Sequence, residues 1–176
     1  MTRADIAALF ERHAGELHGY LYRRGGQSGA DLLGEVFAIA LQRLDSLPRE
    51  DLRRAWLFGT ARRLLLADER ATRRRKAAEE QHARFVEPQR HEQSDERATR
   101  RTAVDEALAS LKEVDRELIR LTEWEGLQIA EAALVLSMRP GAARTRLMRA
   151  RQRLANHEAM QEVISESESA AAADTH

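Results

Sequence analysis

Residues 139–154 read RPGAARTRLMRARQRL, with arginine at 139, 144, 146, 149, 151 and 153 and no acidic residue among them. Projected at 100° per residue, Ala143, Leu147, Ala150 and Leu154 share one side, while Thr145, Met148, Arg149 and Gln152 face the other. Arg144, Arg146, Arg151 and Arg153 flank the outward face. Pro140 suits the first helical position, where its missing N–H costs nothing. The stretch therefore reads as an amphipathic helix with a basic outer face. Such a helix fits a DNA major groove, its outward residues reaching base edges and its flanking arginines reaching phosphates. The competing reading is a solvated surface helix. A salt-bridged surface, however, carries acids at i+4 from its bases, and this helix has none.

Immediately before it, QIAEAALVL is a short apolar-periodic stretch joined to the arginine helix by SMRP, the length and chemistry of a helix-turn-helix. Further upstream, AVDEALASL places Val104, Leu108 and Leu111 on one face. Asp115 then reads as the cap of RELIRLTEWEG, which ends at Gly126 as a helix ending on a left-handed glycine does.

The amino-terminal half has the same helical character. Ile6, Leu9, Phe10, His13, Leu17, Tyr20 and Leu21 recur at three- and four-residue spacing, which makes His13 a packed residue; so do Leu32, Leu33, Val36, Phe37, Ala40, Leu41 and Leu44. RRGGQSGAD separates the two runs, with Ser28 or Asp31 as cap of the second. After Pro48 the pattern restarts through Leu52, Trp56, Leu57, Thr60, Ala61, Leu64 and Leu65. Trp56 is on that apolar stripe and is read as core. From Arg70 to Arg101 the period fades into mixed charge.

Composition agrees with an all-α fold: 176 residues, three prolines, nine glycines and 5% aromatics, with abundant Ala, Leu, Arg and Glu, residue types that lose little entropy in a helix. The absence of cysteine excludes disulfides and thiolate metal sites. The six histidines are scattered, and no Gly-rich phosphate loop, nucleophile elbow or paired-acid site stands out, so neither a cofactor, a metal nor an enzymatic activity is expected. The first residues carry charge too often for a signal peptide or a membrane span, which points to the cytoplasm.

A formal net charge of zero conceals segregation. Residues 53–76 hold nine Arg or Lys against Asp68 and Glu69, residues 139–153 hold six Arg, and the tail from Glu158 has five acids and no base. Two separated basic surfaces suggest two contacts with one polyanion. The expected organisation is two small helical domains, 1–76 and 102–157, joined by a flexible charged linker over 77–101 and followed by a disordered tail over 158–176.

The stretch EALASLKEVDRELIRLTEWEGLQIAEAALVLSMRPGAARTRLMRARQRL resembles region 4 of sigma-70 family RNA polymerase sigma factors of the extracytoplasmic-function group. GADLLGEVFAIALQRLDSLP followed by LRRAWLFGTARRLLLADERATRRR resembles their region 2. The resemblance implies a transcription initiation factor that binds core RNA polymerase, through its β′ and β subunits, and recognises the −10 and −35 elements of promoter DNA. It implies a chain that is monomeric when free, is not inserted in a membrane and has an anti-sigma factor as partner. By the same resemblance, Asp31, Leu32, Glu35 and Phe37 contact polymerase, with Gly34 where the family motif has glutamine. DSLPREDLRR becomes the loop that receives a flipped −10 base, and Arg53, Arg54, Arg62, Arg63, Arg70, Arg73 and Arg74 line the melted strand. Arg139, Arg144, Thr145, Arg146, Met148 and Arg149 meet the −35 duplex. Two other readings of the residues stay open: a stand-alone helix-turn-helix regulator, and a protein that occupies polymerase or an anti-sigma factor without opening DNA.

Overall fold

The structure is a computed structural model that describes residues 2–80, 96–158, 160 and 161. Among the described residues it is all-α, as the sequence predicts. The helices are α1 (Arg3–Asp31), α2 (Leu33–Gln42), α3 (Glu50–Glu80), α4 (Glu96–Ala109), α5 (Glu113–Ile119), α6 (Ile129–Val135) and α7 (Pro140–Ala155). A 3-10 turn at Leu44–Ser46 precedes Pro48, and a wider π-type turn at Arg120–Trp124 extends α5. None of the described helices is long and apolar enough to cross a membrane.

The chain divides into two compact units, one made of Met1–Val86 and Leu127–Met138, the other of Glu87–Gly126 and Arg139–His176. Helix α3 runs to Glu80 and α4 starts at Glu96, so both ends of the stretch expected as linker are helical. Its middle, 81–95, and the tail from 162 lie outside the described residues.

In the first unit α1 opens on a reciprocal cap: the Asp5 N–H donates to Thr2 Oγ1 at 3.3 Å and the Thr2 N–H donates to Asp5 Oδ2 at 2.7 Å. Three- and four-residue spacing then buries Ile6, Leu9, Leu17, Tyr20 and Leu21. The turn expected at RRGGQSGAD is a kink within α1, made at Gly26, whose φ of +59° lies in the left-handed region that glycine enters without penalty. Leu32 rather than Ser28 or Asp31 occupies the start of α2, and it offers no side-chain cap. From α2, Val36, Phe37 and Ala40 are buried, and from α3, Ala55, Leu57, Phe58, Ala61 and Leu65. Tyr20 meets Phe58 edge to face at 5.1 Å, with the Arg24 guanidinium 4.0 Å from the Tyr20 ring centre. Helix α6 packs on α3, where Gly59 admits the backbone of Val135. It ends with Ser137 at φ +54° and the Met138 N–H donating to the Ala133 carbonyl at 2.9 Å, the six-to-one bond of a Schellman close.

In the second unit Leu108 of α4, Leu111 just after it, Leu118 and Ile119 of α5, and Ala143, Leu147 and Ala150 of α7 are buried, and α5 packs along α7. Gly126 closes the α5 segment at φ +60°, and Pro140 is the first residue of α7, both as the sequence predicts. Leu154, expected in the buried stripe, is half-buried because the helix ends one residue later.

Candidate nucleic-acid interface

Helix α7 presents the face its sequence predicts. Thr145, Met148, Arg149 and Gln152 are exposed opposite the buried alanines and Leu147. Arg139 and Arg144 are exposed too. The Thr145 hydroxyl donates to the Gly141 carbonyl at 3.2 Å, so its proton is already committed to its own helix.

The arginines of α7 are less unopposed than the local sequence suggests. Arg146 donates through Nε to Asp115 Oδ1 at 2.8 Å, and Arg153 Nη1 lies 3.5 Å from Asp115 Oδ2. On the other edge of the helix Arg151 donates through Nε to Glu123 Oε1 at 3.1 Å. Asp115 is therefore not the helix cap that the sequence suggests. Lys112 precedes the first turn of α5, and Asp115 sits inside that turn with its side chain only 8% exposed. The acids that oppose the arginines lie 31 and 28 residues upstream, beyond the reach of an i, i+4 search.

In the first unit, the arginines of α3 fall into two sets. Arg62 is half-buried and Arg63, Arg70, Arg73 and Arg74 are exposed. Arg63 donates to Thr60 Oγ1 at 2.8 Å, and Arg73 pairs with Glu69 at 3.2 Å. Nearer the start of the helix, Arg53 donates through Nε to the Pro48 carbonyl at 3.3 Å, bracing the turn before α3. Arg54 lies between Glu16 of α1 and Glu131 of α6, at 2.8 Å and 3.3 Å. Burial alone raises the Glu16 carboxyl, but hydrogen bonds from Arg54 and His13 outweigh it and hold it below the usual carboxylate range. The Glu16 bond raises the Arg54 guanidinium in turn, against burial. Arg54 is thereby committed to the fold. His13 is packed, as expected, with Nδ1 2.6 Å from Glu16 Oε1.

Trp56 is half-buried rather than core. It lines a groove of about 160 Å³ with Pro48, Leu52, Ala55, Gly59, Arg63 and Leu134. The indole turns to this surface because the neighbouring core positions are filled by Leu57 and Phe58, which are fully enclosed.

Of the residues expected to meet polymerase, Asp31 and Glu35 are exposed, and Leu32 between them keeps right-handed helical angles, φ −72° and ψ −10°. Asp31 accepts from Gln27 Nε2 at 3.0 Å. Leu32 is half-buried, whereas Phe37 is 6% exposed and meets Phe10 edge to face at 4.9 Å. Phe37 acts in packing and is covered from solvent.

Residues 101–154, spanning the end of α4 through nearly all of α7, match the family described as Sigma-70, region 4. This carboxy-terminal segment is similar to sigma-70 region 4. The fold of the chain is similar to that in the co-crystal structure of the sigma factor RpoE with the anti-sigma factor NepR from Bartonella quintana, at 22% identity and a TM-score of 0.61, over 86% of this chain and 94% of that one. It is similar also to that in the structure of CnrH in complex with the cytosolic domain of CnrY, at 24% identity and a TM-score of 0.60, over 88% of this chain and 87% of that one. No curated protein sequence matches the chain. The likeness of fold thus extends well beyond residues 101–154, through the amino-terminal helices.

Proposed function

We propose that the chain is a sigma-70-type transcription initiation factor of the cytoplasm with no catalytic activity of its own, which binds core RNA polymerase and directs it to promoters. The single observation that carries the reading is the coincidence of the region 4 match with α7, whose exposed face carries arginines around Thr145 and Met148. Arg139, Arg144 and Arg149 contact −35 phosphates or base edges, with Met148 supplying an apolar contact. In the first unit, Arg62, Arg63, Arg70 and Arg74 track the backbone of the separated −10 strand, and the groove at Trp56 takes an unstacked base. Asp31 and Glu35 supply paired negative charge for a basic surface of polymerase. One similar structure holds a sigma factor with an anti-sigma factor, and the other holds CnrH with the cytosolic domain of CnrY, which supports a protein partner for this chain as well.

The test is transcription in vitro with purified core polymerase, this protein and a library of supercoiled promoter fragments from its source genome. Protein-dependent start sites that Glu35→Lys diminishes support the proposal. Core binding without transcripts favours a polymerase-occupying protein, and duplex binding without core binding favours a stand-alone regulator.

A further inference from the structure

Of the six arginines in 139–153, three are gripped by carboxylates of the α5 segment. Asp115 holds Arg146 and Arg153, which lie two turns apart on one edge of α7, and Glu123 holds Arg151 on the opposite edge. Arg139, Arg144 and Arg149 make no ion pair among the described residues. The two grips differ in kind. Arg151 and Glu123 are 56% and 46% exposed, an ordinary surface pair whose opposite charges offset each other locally. Asp115 is 8% exposed, and a carboxylate taken that far from water is costly to leave without its partners. Arg146 and Arg153 are 41% and 56% exposed, so their heads stand at the rim of the pair.

Arg146 is held by its Nε alone, which fixes the plane of the guanidinium and leaves Nη1 and Nη2 without a bond to Asp115. An arginine anchored in this way has lost its rotamer freedom before DNA arrives and presents its remaining donors in one direction. A mobile arginine, by contrast, swings to whichever phosphate is near and adds affinity without discrimination.

We propose that Asp115 is a positioning residue that sets the specificity of α7: it orients Arg146 towards one place in the −35 groove and keeps Arg153 away from indiscriminate phosphate contact. This role rests on the promoter-reading function above and refines it. Charge supplied by α7 to any duplex is then that of three or four arginines rather than six.

The test compares the full-length wild type with Asp115→Asn, which keeps the size of the side chain and removes its charge. Each is titrated with a 24-base-pair duplex of mixed sequence at several salt concentrations, and each is used to select from a randomised duplex pool. Releasing the two arginines steepens the slope of log K against log salt by about 1 to 2 and strengthens mixed-sequence binding. The preference of the selected motif over mixed sequence falls about tenfold. A residue that only stabilised the fold would lower both affinities together and leave slope and preference unchanged, which overturns the proposal. A second variant guards against a misfolded Asp115→Asn: Arg153→Gln leaves the mixed-sequence slope within about 0.3 of wild type, because that arginine is already withheld. A drop of about 1 overturns the proposal. A wild type that binds no duplex, alone or with core polymerase, sinks both the promoter-reading function and this role, whereas a binding wild type with an unaltered Asp115→Asn slope sinks the role alone.

Discussion

The guanidinium of Arg54 in α3 holds the carboxylate of Glu16 in α1 through two nitrogens, Nη2 at 2.8 Å and Nε at 3.2 Å, across 38 residues of sequence. Both side chains are less than a third exposed, and together they tie the first and third helices of the first unit. Removing the arginine leaves two partly buried acids facing each other across its place. Arg54→Ala therefore lowers the unfolding free energy by about 2 kcal/mol, read as a shift of the denaturant midpoint at constant slope.

The same pair gives the protein an acid-sensitive component of stability. Glu16 ionises below its unfolded value, so its contribution is complete above the ordinary glutamate pKa of about 4.3 and is lost as pH falls through the lower folded value. Glu16→Gln lacks that contribution at every pH. The gap in melting temperature between wild type and Glu16→Gln is widest near neutrality and closes below about pH 4. A gap that stays constant from neutral to acid pH contradicts this account.

Gly29 and Gly34, five residues apart, respond to alanine in opposite directions. A Cβ on Gly29 would run into the Leu21 carbonyl oxygen, so Gly29→Ala forces α1 apart and lowers the melting temperature. A Cβ on Gly34 meets nothing within 4 Å, and the residue lies in the first turn of α2. Gly34→Ala stabilises by about 0.5 kcal/mol through the unfolded chain. Equal responses from the two variants in thermal melts would show that the crowding at Gly29 relaxes freely.

Within α7, Arg149 and Arg151 differ by two positions and by one carboxylate. Arg149→Ala weakens binding to duplex and reduces the salt slope by about 1, as loss of a phosphate contact does. Arg151→Ala changes the slope by less than half as much, because Glu123 already neutralises that charge. Parallel titrations of the two variants decide it.

The chain has two tryptophans, so Trp124→Phe leaves Trp56 as the sole indole reporter. Stacking of an unpaired base in the groove beside Arg63 quenches its emission. A single-stranded pyrimidine-rich oligonucleotide that binds the protein without altering Trp56 emission would place the strand elsewhere on α3.

What could be read from the sequence was what repeats locally. The stripe of Ala143, Leu147 and Ala150, the proline that opens α7 and the glycine that closes the α5 segment all follow from helical periodicity and from which residues tolerate a helix end. Asp115 reads as a cap because an acid ahead of an apolar run has the same local signature whether it caps the helix or receives an arginine from another one. Its partners are 31 and 38 residues away, and no spacing rule connects them. Trp56 reads as core because it shares a stripe with Leu57 and Leu64, while the size of the neighbours that fill the core first is a tertiary fact. Helix α3 outran its apolar pattern because Ala, Arg, Lys and Glu sustain a helix without burying anything.

The division of the chain bears on the order in which it can fold. Residues 127–138 belong to the unit that begins at the amino terminus, yet 40 residues of the other unit, from Glu87 to Gly126, are made before them. On the ribosome the first unit stays unfinished until Met138 has emerged, and by then the second already waits for α7. Completion of each depends on chain that is synthesised after part of the other, and no single cut of the backbone releases either one whole.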